Sequence, residues 1–189
     1  MKIDVIIPAH HPQKRFLELV ERLENQSEPV NRIVIVNTEK EGFAELIDCE
    51  AFCHTHPKAE LFHIAKEEFD HGGTRNLAVR RSDADFFVCM TQDALPADSF
   101  LIENLMKTLL GRKDTAAAYA RQLAEEDCSM IERYTRSLTI RSRDAINRRR
   151  ICPGWGSRPI FAPTCARSTG GTCLKSWAAL RRRRFLTRI

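Results

Sequence analysis

A doubly wound, mostly parallel α/β sheet is the fold class that this 189-residue sequence predicts, and three observations predict it. Short apolar runs rich in valine, isoleucine and phenylalanine recur without polar alternation, as strands buried on both faces require. Between them lie segments with an apolar stripe at helical spacing, which suits crossover helices. The strand-like runs end in polar or proline-containing turns, where an open α/β sheet places its ligand crevice.

In chain order, Ile3 to Ile7 is a β-rich run that Pro8 is expected to stop. Pro12 can open a helix over Gln13 to Asn25, whose Phe16, Leu17, Leu19, Val20 and Leu23 share one stripe. Arg32 to Val36 reads as a second strand ending in the turn Asn37-Thr38-Glu39. Gly42 to Ile47 reads as a short helix and Glu60 to Ile64 as a third strand. His71 to Pro96 organises the rest: a glycine-hinged turn, a helix from Thr74 to Ser82, a strand from Phe86 to Met90, and the polar turn Thr91-Gln92-Asp93. Ser99 to Leu110 is an amphipathic helix with Asp98 or Ser99 as N-cap and Gly111 past its end. A strand over Thr115 to Ala120 and a helix over Asp127 to Arg136 follow.

The composition conceals a break. Up to Ser137 there are 17 Lys+Arg against 24 Asp+Glu, a net of −7, and from Leu138 onward 13 against 1, a net of +12. A shift that sharp marks a boundary. No apolar run approaches the ~20 residues that span a bilayer, and the N-terminus lacks the apolar length of a signal peptide. The expected location is therefore cytoplasmic, free or at the inner face of the membrane. Seven cysteines without zinc-ribbon spacing read as reduced thiols.

Asp93 is the first candidate site residue, because a carboxylate just after an apolar strand is placed to meet a ligand in the crevice. Capping the turn before Pro96 is its competing role. Cys49, Cys53, His54 and His56 are metal-capable but have no second ligand pair at finger spacing. His10-His11 sits where a ligand loop belongs. Gly72-Gly73 matches neither the dinucleotide nor the P-loop pattern.

Four strings in this order and spacing, KIDVIIP, RIVIV, GTRNLAV and MTQDALP, resemble an inverting GT-A glycosyltransferase of family 2. FDHGGTRN, AAAYARQL and CSMIERYTR make the chain similar to its rhamnosyltransferase-like bacterial members, over residues 1–137. The resemblance implies a GT-A sheet, a nucleotide-sugar donor (dTDP- or UDP-linked), a glycan or lipid-linked acceptor, and Mg2+ or Mn2+. It implies that Pro8, Ala9 and His10 lie along the nucleoside, and that Asn37, Thr38 and Glu39 form the turn facing base or ribose, with Asn37 standing where many members have an acid. Arg75 matches an arginine near the diphosphate, and a guanidinium fork suits that anion. Thr91-Gln92-Asp93 matches the family's Asp-x-Asp metal motif with its first carboxylate replaced by Thr91. A hydroxyl is a poor ligand for a hard dication, which leaves Asp93 to bind the metal through waters.

Residues 138–189 read as the out-of-frame product of a single-base deletion near codon 137 or 138. If one base is missing, each original codon is the third base of one present codon and the first two of the next. Read so, Gly156 to Leu180 permits GIKTYFCSNVCAVYRRDVFEELGGF, and Leu138 to Ser142 permits FNYPE. The longer string is similar to the family's acceptor-side continuation, CSNVCAxYRR followed by LGGF. Leu186 to Ile189 permits a string resembling the family's Glu-Asp segment, to which the catalytic base belongs. The expected product is thus an inactive, truncated enzyme: an N-terminal GT-A part over residues 1–137, then an irregular Arg-rich tail. The competing reading is an α/β binding module whose Arg181–Arg184 run engages nucleic acid by counterion release. So long a family string in one shifted frame argues against nucleic acid as the partner.

Overall fold

In a computed structural model of the chain, the residues described are 1–111, 117–120, 123, 128–131 and 133–134, with the backbone of 184–187. The chain divides into two units, Met1–Ala120 with Gly171–Ile189, and Arg121–Gly170. The elements of the first are β1 (Ile3–His10), α1 (Lys14–Glu24), β2 (Arg32–Thr38), α2 (Lys40–Ala44), α3 (Cys49–Thr55), β3 (Ala59–Ile64), α4 (Gly73–Arg81), β4 (Phe86–Cys89), α5 (Leu101–Leu110), β5 (Ala117–Ala118) and β6 (Arg184–Thr187). Their sheet runs β3-β2-β1-β4-β6-β5 with every pairing parallel.

Both faces of the sheet are covered, as its uninterrupted apolar strands require. Ile3, Val5 and Ile7 of β1 face a large core with Leu19 and Leu23 of α1 and Ile102 and Leu109 of α5. Ile6, Val34, Val36 and Phe87 face the other way, onto Ala78 and Val79 of α4. The alternation of successive β1 side chains between two apolar layers accounts for the absence of polar positions in VII. At the amino ends of the strands, buried Asp4 accepts hydrogen bonds from Asn31 (2.9 Å), Arg32 (3.1 Å) and Ser82 (2.6 Å), which fixes the end of the sheet away from the crevice.

Pro8 does not stop β1. Ile6 O accepts from Met90 N–H at 2.9 Å, so even-numbered β1 residues direct their backbone groups towards β4. The β4 ladder ends at Ile6↔Cys89, whereas pairing with β2 continues to His10↔Thr38. Pro8 therefore lacks its N–H on the side where the ladder has already finished. The other expected strands are found with boundaries shifted by one or two residues, β2 running on through Thr38.

The expected helix from Gly42 is displaced to Lys40–Ala44, and α3 has no counterpart among the expected elements. Asp48 caps α3 by accepting from Glu50 N–H (3.1 Å) and Ala51 N–H (2.9 Å). That cap is readable in the sequence, but only Phe52 of α3 is buried and no apolar stripe announces the helix. The helix expected from Ser99 begins at Leu101, with Phe100 rather than Asp98 or Ser99 at its N-cap and no side-chain cap; Asp98 instead accepts from Phe100 N–H (2.8 Å) in the turn ahead of it. Part of the strand expected from Thr115 and part of the helix expected over Asp127 to Arg136 lie outside the described residues, although 130, 131, 133 and 134 are helical.

The tail departs from expectation at one place. Residues 138–183 lie outside the described ones, but Arg184–Thr187 forms a strand between β4 and β5 rather than irregular chain. β4 would otherwise present an unpaired edge, and ladder hydrogen bonds are made by backbone groups, so this slot accepts a segment with little regard for its side chains.

Candidate functional site

The carboxyl ends of β1, β2 and β3, with the turn after β4, lie along one edge of the parallel sheet. His10 is the last residue of β1, and Gln92 ties it to that turn. The Gln92 amide accepts from His10 N–H at 2.7 Å and donates to His10 O at 3.0 Å. A side chain thus satisfies both backbone groups that a longer β4 would have paired. Sequence reasoning singles out Asp93 and passes over Gln92, its neighbour, which does the joining.

Of the residues named from the sequence, Pro8 is half-buried and His10 exposed at this edge. Ala9 is 2% exposed with its side chain in the core, so it can meet a ligand through its backbone alone. Asn37 is fully buried at the end of β2, where its amide donates to Glu39 O at 2.8 Å and reaches His63 Nδ1 at 3.2 Å. Asn37 Oδ1 and Thr38 Oγ1 are buried and have no hydrogen-bond partner. Unpartnered buried polar atoms are rare and require a reason, commonly an absent water or ligand.

Because a carbonyl holds the Asn37 amino group, His63 Nδ1 must accept, and the ring is the neutral Nε2–H tautomer. Nε2 lies 3.8 Å from Cys49 Sγ. Burial, then the positive charge of Lys40, holds the His63 pKa below its ordinary 6.5, with Glu41 opposing. A group with a lowered folded pKa is protonated more readily in the unfolded chain. Its contribution to stability is therefore present above pH ~6.5 and is lost as pH falls from there through the folded value. Histidine ring titration followed by NMR should put His63 below 6.5, and Asn37→Ala should move it upward.

Glu39 follows with φ 62°, and His11 has φ 43°, both in the left-handed region that side chains seldom adopt. These two turns bring Glu39 Oε2 to 3.7 Å from His10 Nδ1, and the His10 and His11 rings to 4.5 Å in an edge-to-face pair. Neither turn is legible in the sequence, since neither position is glycine or asparagine.

Arg75 stands in the first turns of α4, donating to His71 O at 2.6 Å. Its charge reaches Cys89 at the end of β4, whose thiol burial nevertheless pushes up to about 12. Asp93 is exposed. Among the described residues it belongs to no group of three metal-capable side chains. With Thr91 a hydroxyl and Gln92 committed to His10, the turn offers one carboxylate, which fits a hard dication that keeps several waters and takes further oxygens from a phosphate ligand. The Cys49, Cys53, His54, His56 string forms no metal group among the described residues: His56 pairs with Glu24 at 2.9 Å and Cys49 with His63. The described cysteines, Cys49, Cys53, Cys89 and Cys128, are all free thiols. Among the described residues no helix is long and apolar enough to cross a membrane.

Comparison with known proteins agrees with this architecture. The family profile described as glycosyl transferase family 2 matches residues 4–171. The O-antigen chain rhamnosyltransferase RfbN of Salmonella typhimurium is 26% identical over 162 residues, 85% of this chain and 50% of the relative. The O-antigen chain rhamnosyltransferase WbaN of Salmonella anatum is 24% identical over 159 residues, 83% of this chain and 48% of the relative. The chain thus spans about half the length of the curated relatives it matches. Among solved structures, S. aureus TarS 1-349 in complex with UDP-GlcNAc superposes with a TM-score of 0.55 at 14% identity, over 68% of this chain and 37% of that one. At that identity the likeness speaks for the fold.

Proposed function

The chain belongs to glycosyl transferase family 2, and we propose that it carries the donor side of a cytoplasmic enzyme, free or at the inner face of the membrane, transferring a deoxysugar such as rhamnose from a dTDP- or UDP-linked donor to a glycan or lipid-linked acceptor. The observation that carries this reading is Asn37 Oδ1 at the end of β2, buried without a hydrogen-bond partner beside the Glu39 turn, where a nucleoside's base or ribose hydroxyl could supply one. The rhamnosyltransferase relatives support the choice of sugar.

In the proposed arrangement, Pro8, Ala9 and His10 lie along the nucleoside, with Asn37 and Glu39 beside it. Arg75 supplies a planar fork to the diphosphate. Asp93 would hold Mg2+ or Mn2+, and such a cation neutralises charge on the departing diphosphate. In an inverting transfer the acceptor oxygen forms a bond to the anomeric carbon as the bond to the diphosphate breaks, its electron pair leaving with the nucleoside diphosphate. A carboxylate must take the acceptor's proton. In the shifted-frame reading, that base belongs to the segment encoded out of frame beyond residue 137.

Calorimetry with Mn2+ and a panel of nucleoside diphosphates should show weak binding to the chain as it stands. The double variant Arg75→Ala, Asp93→Ala should weaken it by about 10- to 100-fold for each charged group removed. Binding unchanged by both substitutions would show that the donor is held elsewhere.

A further inference from the structure

We infer that His10, His11 and Glu39 form a binding site for a late first-row divalent cation, Zn2+ foremost, distinct from the hard-cation position at Asp93. One nitrogen of each imidazole and a Glu39 carboxylate oxygen lie within 4.8 Å of one another. Around tetrahedral zinc, ligand atoms stand about 3.3 Å apart. Small side-chain rotations of exposed His10 and His11 close that difference, and the backbone need not move.

The backbone is already arranged for it. His11 and Glu39 both hold positive φ, and such outliers persist where the surroundings enforce them. The His11 ring lies against Gly42, where a Cβ would stand 2.5 Å from its Nδ1, so the absence of a side chain at 42 makes room for the ring. Gln92 holds both the N–H and the carbonyl of His10. His11 opens onto a recess of about 350 Å³ that also touches Glu45, whose carboxylate is 3.9 Å from His11 Nδ1. Water or Glu45 can therefore complete the coordination.

Ligand chemistry selects the ion. Two imidazoles and one carboxylate suit Zn2+ and its neighbours, whereas Mg2+ prefers six oxygens. Zinc here has a consequence that rests on the proposed donor site: His10 and Glu39 would serve both, so zinc and nucleotide-sugar compete.

The test uses the full chain without nucleotide, with Zn2+ calorimetry and Co2+ absorption. A high-affinity Zn2+ site is expected that Mg2+ does not displace, and Co2+ should give d–d bands without thiolate charge transfer. His11→Asn, which tolerates positive φ, should weaken Zn2+ on the order of 100-fold, and Gly42→Ala should also weaken it by displacing the ring. Absence of Zn2+ binding, thiolate charge transfer as the sole signature, or an unchanged Kd in His11→Asn overturns the site. Nucleoside diphosphate binding, measured separately, should survive His11→Asn. Zinc binding to a chain that binds no nucleotide would sink the donor reading alone and leave this site standing.

Discussion

The chain as encoded should transfer no sugar above background, and one base inserted at codon 137 or 138 should give a longer protein that does. The expectation rests on the segment beyond residue 137. The charge balance changes from −7 to +12 there. The shifted frame permits a family string of acceptor-side character, and after it a string resembling the family's base-bearing Glu-Asp segment. Donor binding cannot replace that base, whose proton transfer alone contributes about 10²- to 10⁴-fold. In the repaired protein, changing the restored aspartate to asparagine should abolish transfer again. The family match extends to residue 171, past Ser137, and β6 places residues of the tail in the sheet. These two findings pull against a break at 137, and the shifted-frame strings pull for it. Robust transfer by the unrepaired chain would settle the matter against the break, because it would put a working base within residues 1–189.

Phe43→Ala should be the most damaging single substitution to folding, at about 3–5 kcal/mol. Phe43 is fully buried and meets Phe16 at 5.9 Å and Phe52 at 5.2 Å between ring centroids, with His63 at 6.2 Å. It thereby ties α1, α2 and α3 to the sheet. It also follows Gly42 on α2, so its loss should loosen the neighbouring turns that carry Glu39 and His11. Urea unfolding should show a lower midpoint, and a change under about 1 kcal/mol would mean that the three-ring cluster collapses without cost. Phe43→Leu should recover most of the loss, since it refills much of the volume.

The sheet is legible in the sequence because its strands are continuous apolar runs and α1 carries a clear stripe. Phe16, Leu19, Val20 and Leu23 are buried as their spacing demands, whereas Leu17, read on the same stripe, is only half-buried against that core. Helix α3 is not, because one buried phenylalanine cannot set a period. Pro8 misleads for a definable reason: a proline's missing donor matters only on the side where a partner strand continues. The crevice is half legible. His10, Asn37 and Glu39 do converge at the ends of β1 and β2, but the clamp made by Gln92 and the positive φ of His11 and Glu39 depend on tertiary contacts that no local pattern encodes. Nor does spacing join His63 to Asn37, since their adjacency comes from the pairing of β2 with β3.

On the shifted-frame reading, the family 2 donor domain continues into an acceptor half written in another reading frame. Sequencing the genomic DNA from codon 137 to beyond codon 189 tests it directly. Restoring one base should yield an open frame that reads FNYPE, then CSNVCAVYRR and LGGF, then an acidic Glu-Asp segment, and stays open past codon 189. A restored frame that stops early, or that spells none of these strings, would contradict it and return residues 138–189 to the status of a genuine basic tail.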